Sequence, residues 1–367
     1  MKKIAIVKWI IDRTDGGLKV AVNLSNELSE IYEVHLLSMI TTEQIFFSVK
    51  DEVIYRNLSS KKLSMNKNFL QAVHKLRKYL IENKIDIVFG VGMSMNSVGI
   101  ASTLGLKTKF VSCDHTNSIV DIDTMVKKIQ RWVASKFANK IITLTNQDKL
   151  NYINKYKMKK DKVEFIYNWI DSLDSVKEYN IDSKKIITVG RFDFQKGFDY
   201  LAKVAINVLS KHSDWQWDIY GDGDERIKQE LRNELEAGGV LSQVHFKGNV
   251  KGTENIYPGH GMYVMTSRYE GLPLVLLEAK QYCLPIVSFN CPTGPSELVL
   301  DGKNGYLVEN YNVEQMSQLI NKLIENEELR INFSKNSMLD TDKFSKEKII
   351  QQWVGLIEEM TGENHAK

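Results

Sequence analysis

The sequence has only three cysteines, Cys113, Cys283 and Cys291. Three cysteines cannot all pair within one chain, and their spacing does not match the ligand patterns of metal sites. A reducing cytoplasm is therefore the compartment that we expect for this protein.

Long apolar runs are missing as well. No stretch reaches the roughly 18 consecutive apolar residues that a membrane-spanning helix needs. The apolar run Ile4–Val7 near the amino terminus is broken at Lys8 and again at Asp12. We therefore expect a buried first strand there rather than a signal peptide.

The chain length and the hydrophobic pattern indicate two domains. The 367 residues, 43% of them hydrophobic, can bury two cores, because a domain commonly contains about 150 residues. Apolar runs alternate with helical patterns along the chain, which favours an α/β fold with parallel sheets covered by helices. The alternation pauses near Asp171, so we expect one domain over residues 1–171 and another over 172–345. Residues 346–367 begin with an amphipathic helix.

Two glutamates lie eight residues apart, at Glu270 and Glu278. Eight positions make a little over two helical turns, so the spacing predicts both carboxylates on one side of a helix that starts beside Glu270. The free N–H groups at the helix start could donate to diphosphate oxygens, while the carboxylates accept hydrogen bonds from hydroxyl groups, and a sugar nucleotide presents both kinds of group. The alternative is an ordinary amphipathic helix with two solvated glutamates.

Two cations precede this segment. Arg191 follows a predicted strand, and Lys196 lies just before the next predicted helix. Ligands of open parallel sheets collect beyond the carboxyl ends of the strands, so both side chains could neutralise one diphosphate there. A solvated loop that happens to carry a lysine and an arginine is the alternative.

The segment Arg268–Lys280 closely resembles the Glu-x7-Glu signature of the retaining glycosyltransferases of family 4. The accompanying motifs follow in the order of that family, namely Gly190-Arg191, Lys196-Gly197, Gly294-Pro295-Ser296-Glu297 and Asp301–Val308. The resemblance implies the GT-B fold, two Rossmann-like domains with parallel sheets facing across a cleft. It also implies that residues 1–171 bind the acceptor, that 172–345 bind the nucleotide-sugar donor, and that the helix of 346–367 crosses back to the first domain.

The resemblance also implies roles for matching positions. Glu278 would hold the ribose hydroxyls and Glu270 the transferred sugar. Arg191 and Lys196 would stabilise the diphosphate, and with Glu270 they are the implied catalytic residues of this domain. The remaining implied donor contacts are the backbone at Gly271, Leu272, Leu274 and Val275, and the base-reading loop at Asn249 and Val250.

Two features of the first domain complete the implied site. Gly16 and Gly17 precede a predicted helix and could let the backbone approach a phosphate, although a plain turn has the same composition. In the family, a glycine-rich loop at this point faces the donor. His115 follows a predicted strand and resembles the family's catalytic histidine near the anomeric carbon. A structural, hydrogen-bonding histidine is the alternative for His115.

Two Asp-x-Asp segments, Asp121–Asp123 and Asp222–Asp224, resemble the metal-binding motif of other glycosyltransferases. We interpret both as ordinary loop or turn segments. We therefore expect no metal and no cofactor, only a nucleotide sugar, a UDP-sugar, as co-substrate. The resemblance implies transfer of a hexose or N-acetylhexosamine with retention of configuration.

The resemblance also implies the acceptor. The segment Asn290–Glu297 resembles the form of this motif that is common among bacterial lipopolysaccharide, capsule and exopolysaccharide transferases. A lipid-linked or cell-surface glycan is the expected acceptor. Two other functions stay open at this point: a non-catalytic GT-B subunit that stabilises a partner transferase, and a sugar-nucleotide epimerase on the same fold.

Charge is unevenly distributed between the two halves. Residues 1–180 carry 28 Lys and Arg against 19 Asp and Glu, whereas the rest carries 21 against 27. Much of the excess lies in two helix-like segments with interleaved aromatics: Lys61, Lys62, Lys67, Lys75, Arg77 and Lys78, and Lys127, Lys128, Arg131, Lys136 and Lys140. Such a surface suits an anionic membrane, and we expect peripheral binding to the inner face of the cell membrane. No recognition motif accompanies the charge, so we expect no nucleic acid partner.

Overall fold

The computed structural model describes residues 1–11, 16–40, 47–59, 68–119, 124–170 and 179–362. The chain folds as two compact units, Met1–Asn168 together with Lys346–Lys367, and Trp169–Ser345. Residues 171–178, where the sequence pattern pauses, lie outside the described residues.

The first unit is built on a parallel sheet of seven described strands. Strands β1 to β7 are Lys3–Lys8, Glu33–Ser38, Ile54–Asn57, Ile87–Val91, Lys109–Asp114, Lys140–Thr143 and Val163–Phe165. The described helices of this unit are α1 Gly16–Leu28, α2 Phe69–Glu82, α3 Asn96–Thr103, α4 Met125–Phe137, α5 Asn146–Tyr156 and α12 Lys346–Thr361. The strand order is β3-β2-β1-β4-β5-β6-β7.

The second unit repeats the design with six described strands, again all parallel. Strands β8 to β13 are Lys185–Val189, Gln216–Tyr220, Val244–Gly248, Met262–Met265, Ile286–Phe289 and Gly305–Val308. The described helices are α6 Phe198–Leu209, α7 Glu225–Ala237, α8 Leu274–Gln281, α9 Pro295–Leu298, α10 Val313–Glu325 and α11 Glu327–Lys335. The strand order is β10-β9-β8-β11-β12-β13.

Local chemistry explains these elements. The residues of β11 are all buried, as expected of a strand whose sheet is covered by helices on both faces. Met316, Ile320 and Leu323 recur on one face of α10 and are buried in the core of the second unit. The side chain of Asp224 accepts a hydrogen bond from the backbone N–H of Arg226 and so caps α7. The α/β architecture with parallel sheets, predicted from the alternating pattern, is confirmed.

Each sheet reverses its direction of strand addition at one point. In the first sheet the reversal lies between β1 and β4, and in the second it lies between β8 and β11. The loops that follow two such strands diverge and leave a crevice at the carboxyl edge of the sheet, where open α/β sheets bind ligands. The loops after β8 and β11 are therefore the first place to look for a site in the second unit.

Two residues that we assigned to a basic surface are buried instead. Arg131 is 1% exposed and forms an ion pair with Asp114, with Nε 2.8 Å from Oδ2. Lys140 is also buried, and its Nζ lies 2.7 Å from Oε1 of Glu359 on α12. The prediction was wrong for both, because periodicity does not reveal a partner on another element. Lys61, Lys62 and Lys67 lie outside the described residues.

Candidate active site

An ion pair between a partly buried lysine and a buried glutamate joins the two loops at the reversal point of the second sheet. Lys196 ends the 3₁₀ turn Phe194–Lys196 after β8, and Glu270 lies in the loop after β11. Lys196 Nζ is 2.7 Å from Glu270 Oε1, and Gln195 Nε2 donates to Oε2 over 3.2 Å. Glu270 is only 6% exposed. A carboxylate at this depth needs such partners, because burying an unpaired charge is costly.

Three consecutive carbonyl groups of the turn that carries Lys196 each accept a hydrogen bond from the loop after β11. A guanidinium N–H of Arg268 donates to the carbonyl oxygen of Phe194 over 2.8 Å. The backbone N–H of Arg268 donates to the carbonyl oxygen of Gln195 over 2.7 Å. The Thr266 hydroxyl donates to the carbonyl oxygen of Lys196 over 3.1 Å. The backbone around Lys196 is thereby fixed to the loop that carries Glu270.

Gly197 lets these two loops approach. Its φ is +65°, and a Cβ atom at this position would collide with the carbonyl oxygen of Thr266. The Lys196-Gly197 pair is thus required for geometry as well as charge.

The backbone of Glu270 is fixed from a third direction. The Thr293 hydroxyl, in the loop after β12, donates to the carbonyl oxygen of Glu270 over 2.6 Å. A Cβ atom at Gly294, where φ is +93°, would lie 2.5 Å from the carbonyl oxygen of Gly271. The Gly294–Glu297 motif therefore packs its first residues against the loop that holds Glu270.

Glu270 is not on the helix that carries Glu278. Helix α8 begins at Leu274, with Pro273 at its N-cap, so Glu270 lies in the preceding loop. The prediction that both carboxylates share a helical face was wrong, because Pro273 and the loop between them delay the helix. Leu274 and Val275 form the first turn of α8, where backbone N–H groups have no partner within the helix.

Glu278 is oriented by a residue that the sequence did not single out. Its Oε2 accepts a 2.7 Å hydrogen bond from the hydroxyl of Tyr257. Tyr257 lies in the segment between β10 and β11 and is fully buried. Glu278 itself is half-buried, on the fifth residue of α8.

Arg191 lies on the exposed side of the same region. Its guanidinium is 2.8 Å from Oδ2 of Asp193, and its side chain is 70% exposed. Asp193 also accepts from the backbone N–H of Lys196 over 3.2 Å, which caps the turn. The structure thus brings Lys196 to Glu270 but pairs Arg191 with Asp193.

Three other predicted donor contacts have defined places. Asn249 and Val250 follow β10, and the preceding Gly248 has a φ of +68° and accepts from Gly221 N–H over 2.8 Å. Asn249 is exposed, whereas Leu272 is buried.

The predicted residues of the first unit lie at the carboxyl edge of its sheet. Gly16 and Gly17 are the first residues of α1, which follows β1, and Gly16 is exposed. His115 directly follows β5 and is half-buried. Strand β4 lies between β1 and β5. Asp121–Asp123 lie outside the described residues, and Asp224 is accounted for as the cap of α7.

A buried polar network fixes the loop of His115. Asp114 accepts hydrogen bonds from Arg131 Nε at 2.8 Å and from the Tyr152 hydroxyl at 2.5 Å. Arg131 also donates to the hydroxyl of Thr116 over 2.7 Å. Burial alone would raise the pKa of Asp114, but the charge and hydrogen bond of Arg131 keep it below its ordinary value. The residues on both sides of His115 are therefore anchored to α4 and α5.

Comparison with known families agrees with this architecture. The profile described as Glycosyltransferase Family 4 matches residues 14–172, and the one described as Glycosyl transferases group 1 matches residues 171–339.

Among the described residues, none of the helices has the length and apolar composition that a membrane span requires.

Several curated relatives match over nearly their whole length. An uncharacterized glycosyltransferase of Haemophilus influenzae is 30% identical, with 97% of this chain and 100% of the relative covered. The amylovoran biosynthesis glycosyltransferase AmsD of Erwinia amylovora is 30% identical, with 96% and 99% covered. The GalNAc-α-(1→4)-GalNAc-α-(1→3)-diNAcBac-PP-undecaprenol α-1,4-N-acetyl-D-galactosaminyltransferase of Campylobacter jejuni is 25% identical, with 98% and 99% covered.

Solved structures share the fold. A crystal structure of an S. aureus TarM mutant in complex with Fondaparinux, α-GlcNAc-glycerol and UDP has a TM-score of 0.81 at 17% identity, covering 97% of this chain and 100% of that one. The profiles, the relatives and the shared architecture together establish that the chain belongs to the family 4 glycosyltransferases of the GT-B fold.

Proposed function

We propose that the protein transfers a hexose or N-acetylhexosamine from a UDP-sugar to a lipid-linked or cell-surface glycan, with retention of configuration and without a metal or cofactor. The observation that carries this proposal is the Lys196–Glu270 pair at the carboxyl edge of the second sheet, with Nζ and Oε1 2.7 Å apart. The carboxylate can accept hydroxyl groups of the sugar. The ammonium beside it offers positive charge to the departing diphosphate.

In the proposed reaction, the bond between the anomeric carbon and the β-phosphate oxygen breaks, and the acceptor oxygen forms its bond on the same face. The proton of the acceptor hydroxyl passes to the departing phosphate oxygen. Glu270 and Lys196 then act by position and charge rather than by covalent chemistry. His115, on the first unit, is proposed to lie near the reacting carbon, as the family resemblance implies.

Three groups of the second unit suit the diphosphate without a metal. Lys196 retains 20% side-chain exposure, so its ammonium is accessible to a ligand. The first turn of α8 supplies the N–H groups of Leu274 and Val275. Arg191 would exchange Asp193 for a phosphate, to which a guanidinium can donate two parallel hydrogen bonds. The UDP bound in the TarM structure supports the choice of nucleotide.

The acceptor proposal is supported by the relatives. AmsD is named for amylovoran biosynthesis, and the C. jejuni enzyme is named for a glycan carried on PP-undecaprenol. A glycan of this kind, assembled on a lipid for a bacterial polysaccharide, would be presented at the cytoplasmic face of the cell membrane. The protein would then be cytoplasmic and bind that face peripherally.

Helix α4 supports the membrane proposal with three of the five basic residues predicted for this segment and with exposed apolar side chains. Four apolar side chains on it are largely exposed: Met125 at 72%, Ile129 at 51%, Trp132 at 51% and Phe137 at 62%. Lys127, Lys128 and Lys136 on the same helix are exposed too. Exposed apolar groups beside lysines suit shallow insertion into an anionic lipid surface.

The test is turnover with a lipid acceptor. The purified protein is first screened against UDP-, GDP- and ADP-sugars by thermal shift, and labelled donors are then incubated with bacterial membrane lipid extract. We expect stabilisation by a UDP-sugar and transfer of label into the lipid fraction, with UDP released only when lipid is present. UDP release without acceptor would instead favour the epimerase, and absence of donor binding the non-catalytic subunit.

A further inference from the structure

The carboxylate of Glu278 is held by a tyrosine that is remote in the sequence. The Tyr257 hydroxyl donates to Glu278 Oε2 over 2.7 Å and lies 3.4 Å from the carbonyl oxygen of Val275, one turn earlier in α8. A hydroxyl bound to an ionised carboxylate forms one of the stronger hydrogen bonds of proteins. One buried hydroxyl therefore contacts both the backbone and the functional side chain of α8.

The ring of Tyr257 cannot move independently of this helix. It stacks on Tyr282, directly after α8, with ring centroids 5.4 Å apart and planes at 16°, and packs against Tyr263 of β11 with centroids 6.2 Å apart. Burial, and then the charge of Glu278, raise the pKa of Tyr257 well above its ordinary value. The hydroxyl thus remains a hydrogen-bond donor throughout the working range of pH.

The backbone of Tyr257 is anchored to the sheet as well. Its carbonyl oxygen is 3.1 Å from Nδ1 of the buried His260, whose Nε2 is 3.3 Å from Oδ2 of Asp218 on β9. Asp218 is buried and also contacts His245 and Lys247 of β10. Tyr257 is therefore fixed at its ring by α8 and β11, and at its backbone by β9.

We propose that Tyr257 is the positioning residue of the donor site, which holds Glu278 in the conformation that accepts the ribose hydroxyls. It thereby makes the site selective for nucleotides that carry those hydroxyls. This inference rests on the proposed function, in which Glu278 binds the ribose. A glutamate on a half-exposed helix surface has several rotamers, and ordering it in advance removes an entropic cost from binding.

The test compares the binding of UDP and of 2′,3′-dideoxy-UDP by calorimetry. We expect the wild-type protein to prefer UDP and Glu278→Gln to lose most of that preference. Tyr257→Phe should bind UDP roughly 10-fold more weakly, as expected for a lost hydrogen bond to a charged group, while its affinity for dideoxy-UDP stays unchanged. A merely structural role would weaken both nucleotides alike.

Tyr282→Phe is the matched control. It removes a hydroxyl from the ring stacked on Tyr257, and that hydroxyl donates to the Thr253 hydroxyl over 3.1 Å rather than to Glu278. Its preference for UDP should equal that of the wild type. Thermal unfolding of all variants shows whether each retains the fold.

The outcomes separate this inference from the function on which it rests. If Glu278→Gln loses the preference and Tyr257→Phe keeps it, the role of Tyr257 is overturned and the donor site stands. If the wild type binds both nucleotides equally, the ribose role of Glu278 is overturned, and the inference with it. The corresponding GDP and ADP pairs are measured in parallel, and absence of binding to all three nucleotides would overturn the donor site itself.

Discussion

Lys196 and Glu270 form a partly buried ion pair between the loops that follow two adjacent strands, with Nζ 2.7 Å from Oε1. The strands, β8 and β11, are the pair at which the second sheet reverses its order. The pair therefore links the charge proposed for the leaving group to the carboxylate proposed for the sugar. Whatever disturbs one residue disturbs the other.

Lys196→Ala is expected to lower kcat by roughly 10²- to 10³-fold at saturating donor, because the charge that stabilises the leaving diphosphate is lost. It should also destabilise the fold by about 1–3 kcal/mol, since the buried carboxylate of Glu270 keeps only the hydrogen bond from Gln195. Steady-state kinetics and urea unfolding measure the two effects.

The double variant Lys196→Met with Glu270→Gln separates stability from catalysis. It removes both charges while nearly keeping the side-chain volumes, so stability should return towards that of the wild type while kcat stays low. Recovery of activity together with stability would contradict a catalytic role for the pair.

EDTA is expected to leave the transferase activity largely intact, because Lys196, Arg191 and the start of α8 are proposed to serve the diphosphate in place of a metal. The measurement is the initial rate of UDP release with donor and acceptor, before and after chelation. Complete loss of activity that Mn²⁺ restores would contradict the proposal and direct attention to Asp121–Asp123.

Neutralising three lysines of α4, by Lys127→Gln, Lys128→Gln and Lys136→Gln, is expected to weaken binding to anionic vesicles on the order of 100-fold. The reason is that each well-placed lysine contributes about 1 kcal/mol at such a surface. Co-sedimentation with vesicles at low salt is the measurement. The matched control neutralises three exposed lysines elsewhere in the first unit: Lys107, Lys159 and Lys160. An equal loss in both variants, or equal binding to neutral lipid, would count against docking through α4.

Lys280 predicts a pH dependence of stability. Its ammonium is buried and donates to the carbonyl oxygens of Leu298 and Leu339, and burial lowers its pKa to about 8. Between pH 8 and about 10.5 the unfolded chain binds more protons at this residue than the folded one, so stability rises with pH. Relative to Lys280→Met, the wild type should gain about 1.5 kcal/mol of unfolding free energy between pH 8 and 9.5. A difference of one bound proton contributes about 1.4 kcal/mol per pH unit, and Lys280 of the folded chain is still half-protonated at pH 8.

The measurement for Lys280 is the urea unfolding free energy of both proteins across that range. Lys211→Met, at an exposed lysine, is the control and should show no such difference. A stability difference that is flat with pH would contradict the burial argument.

Much of the architecture could be predicted from the sequence because parallel strands buried on both faces are continuous apolar runs. Strand Met262–Met265 is such a run, and all four of its residues are buried. The helix Asn146–Tyr156 gives no such signal, because its buried residues include the polar Asp148, whose carboxylate accepts a hydrogen bond from the backbone N–H of Ser118. Apolar periodicity cannot locate a helix held in this way.

The residues proposed for the donor site could be predicted only where they belong to a motif. Glu270, Glu278 and Lys196 were recognisable from their spacing and from the neighbouring motifs. Tyr257 had no signal in the sequence, because its contact with Glu278 exists only after the second sheet has formed. Helical spacing placed Glu270 on the helix of Glu278 incorrectly, because α8 starts only after Pro273. The predicted exposure of Arg131 was wrong because its partner Asp114 lies on a different element.

The most direct test of the account is the anomeric configuration of the product, determined by NMR after transfer from an α-linked UDP-sugar to a lipid-linked glycan. We expect an α-linked product, which the wild type forms in EDTA and the Glu270→Gln variant does not form. A β-linked product would contradict retention of configuration. Full transfer by Glu270→Gln would contradict the site proposed around Lys196 and Glu270.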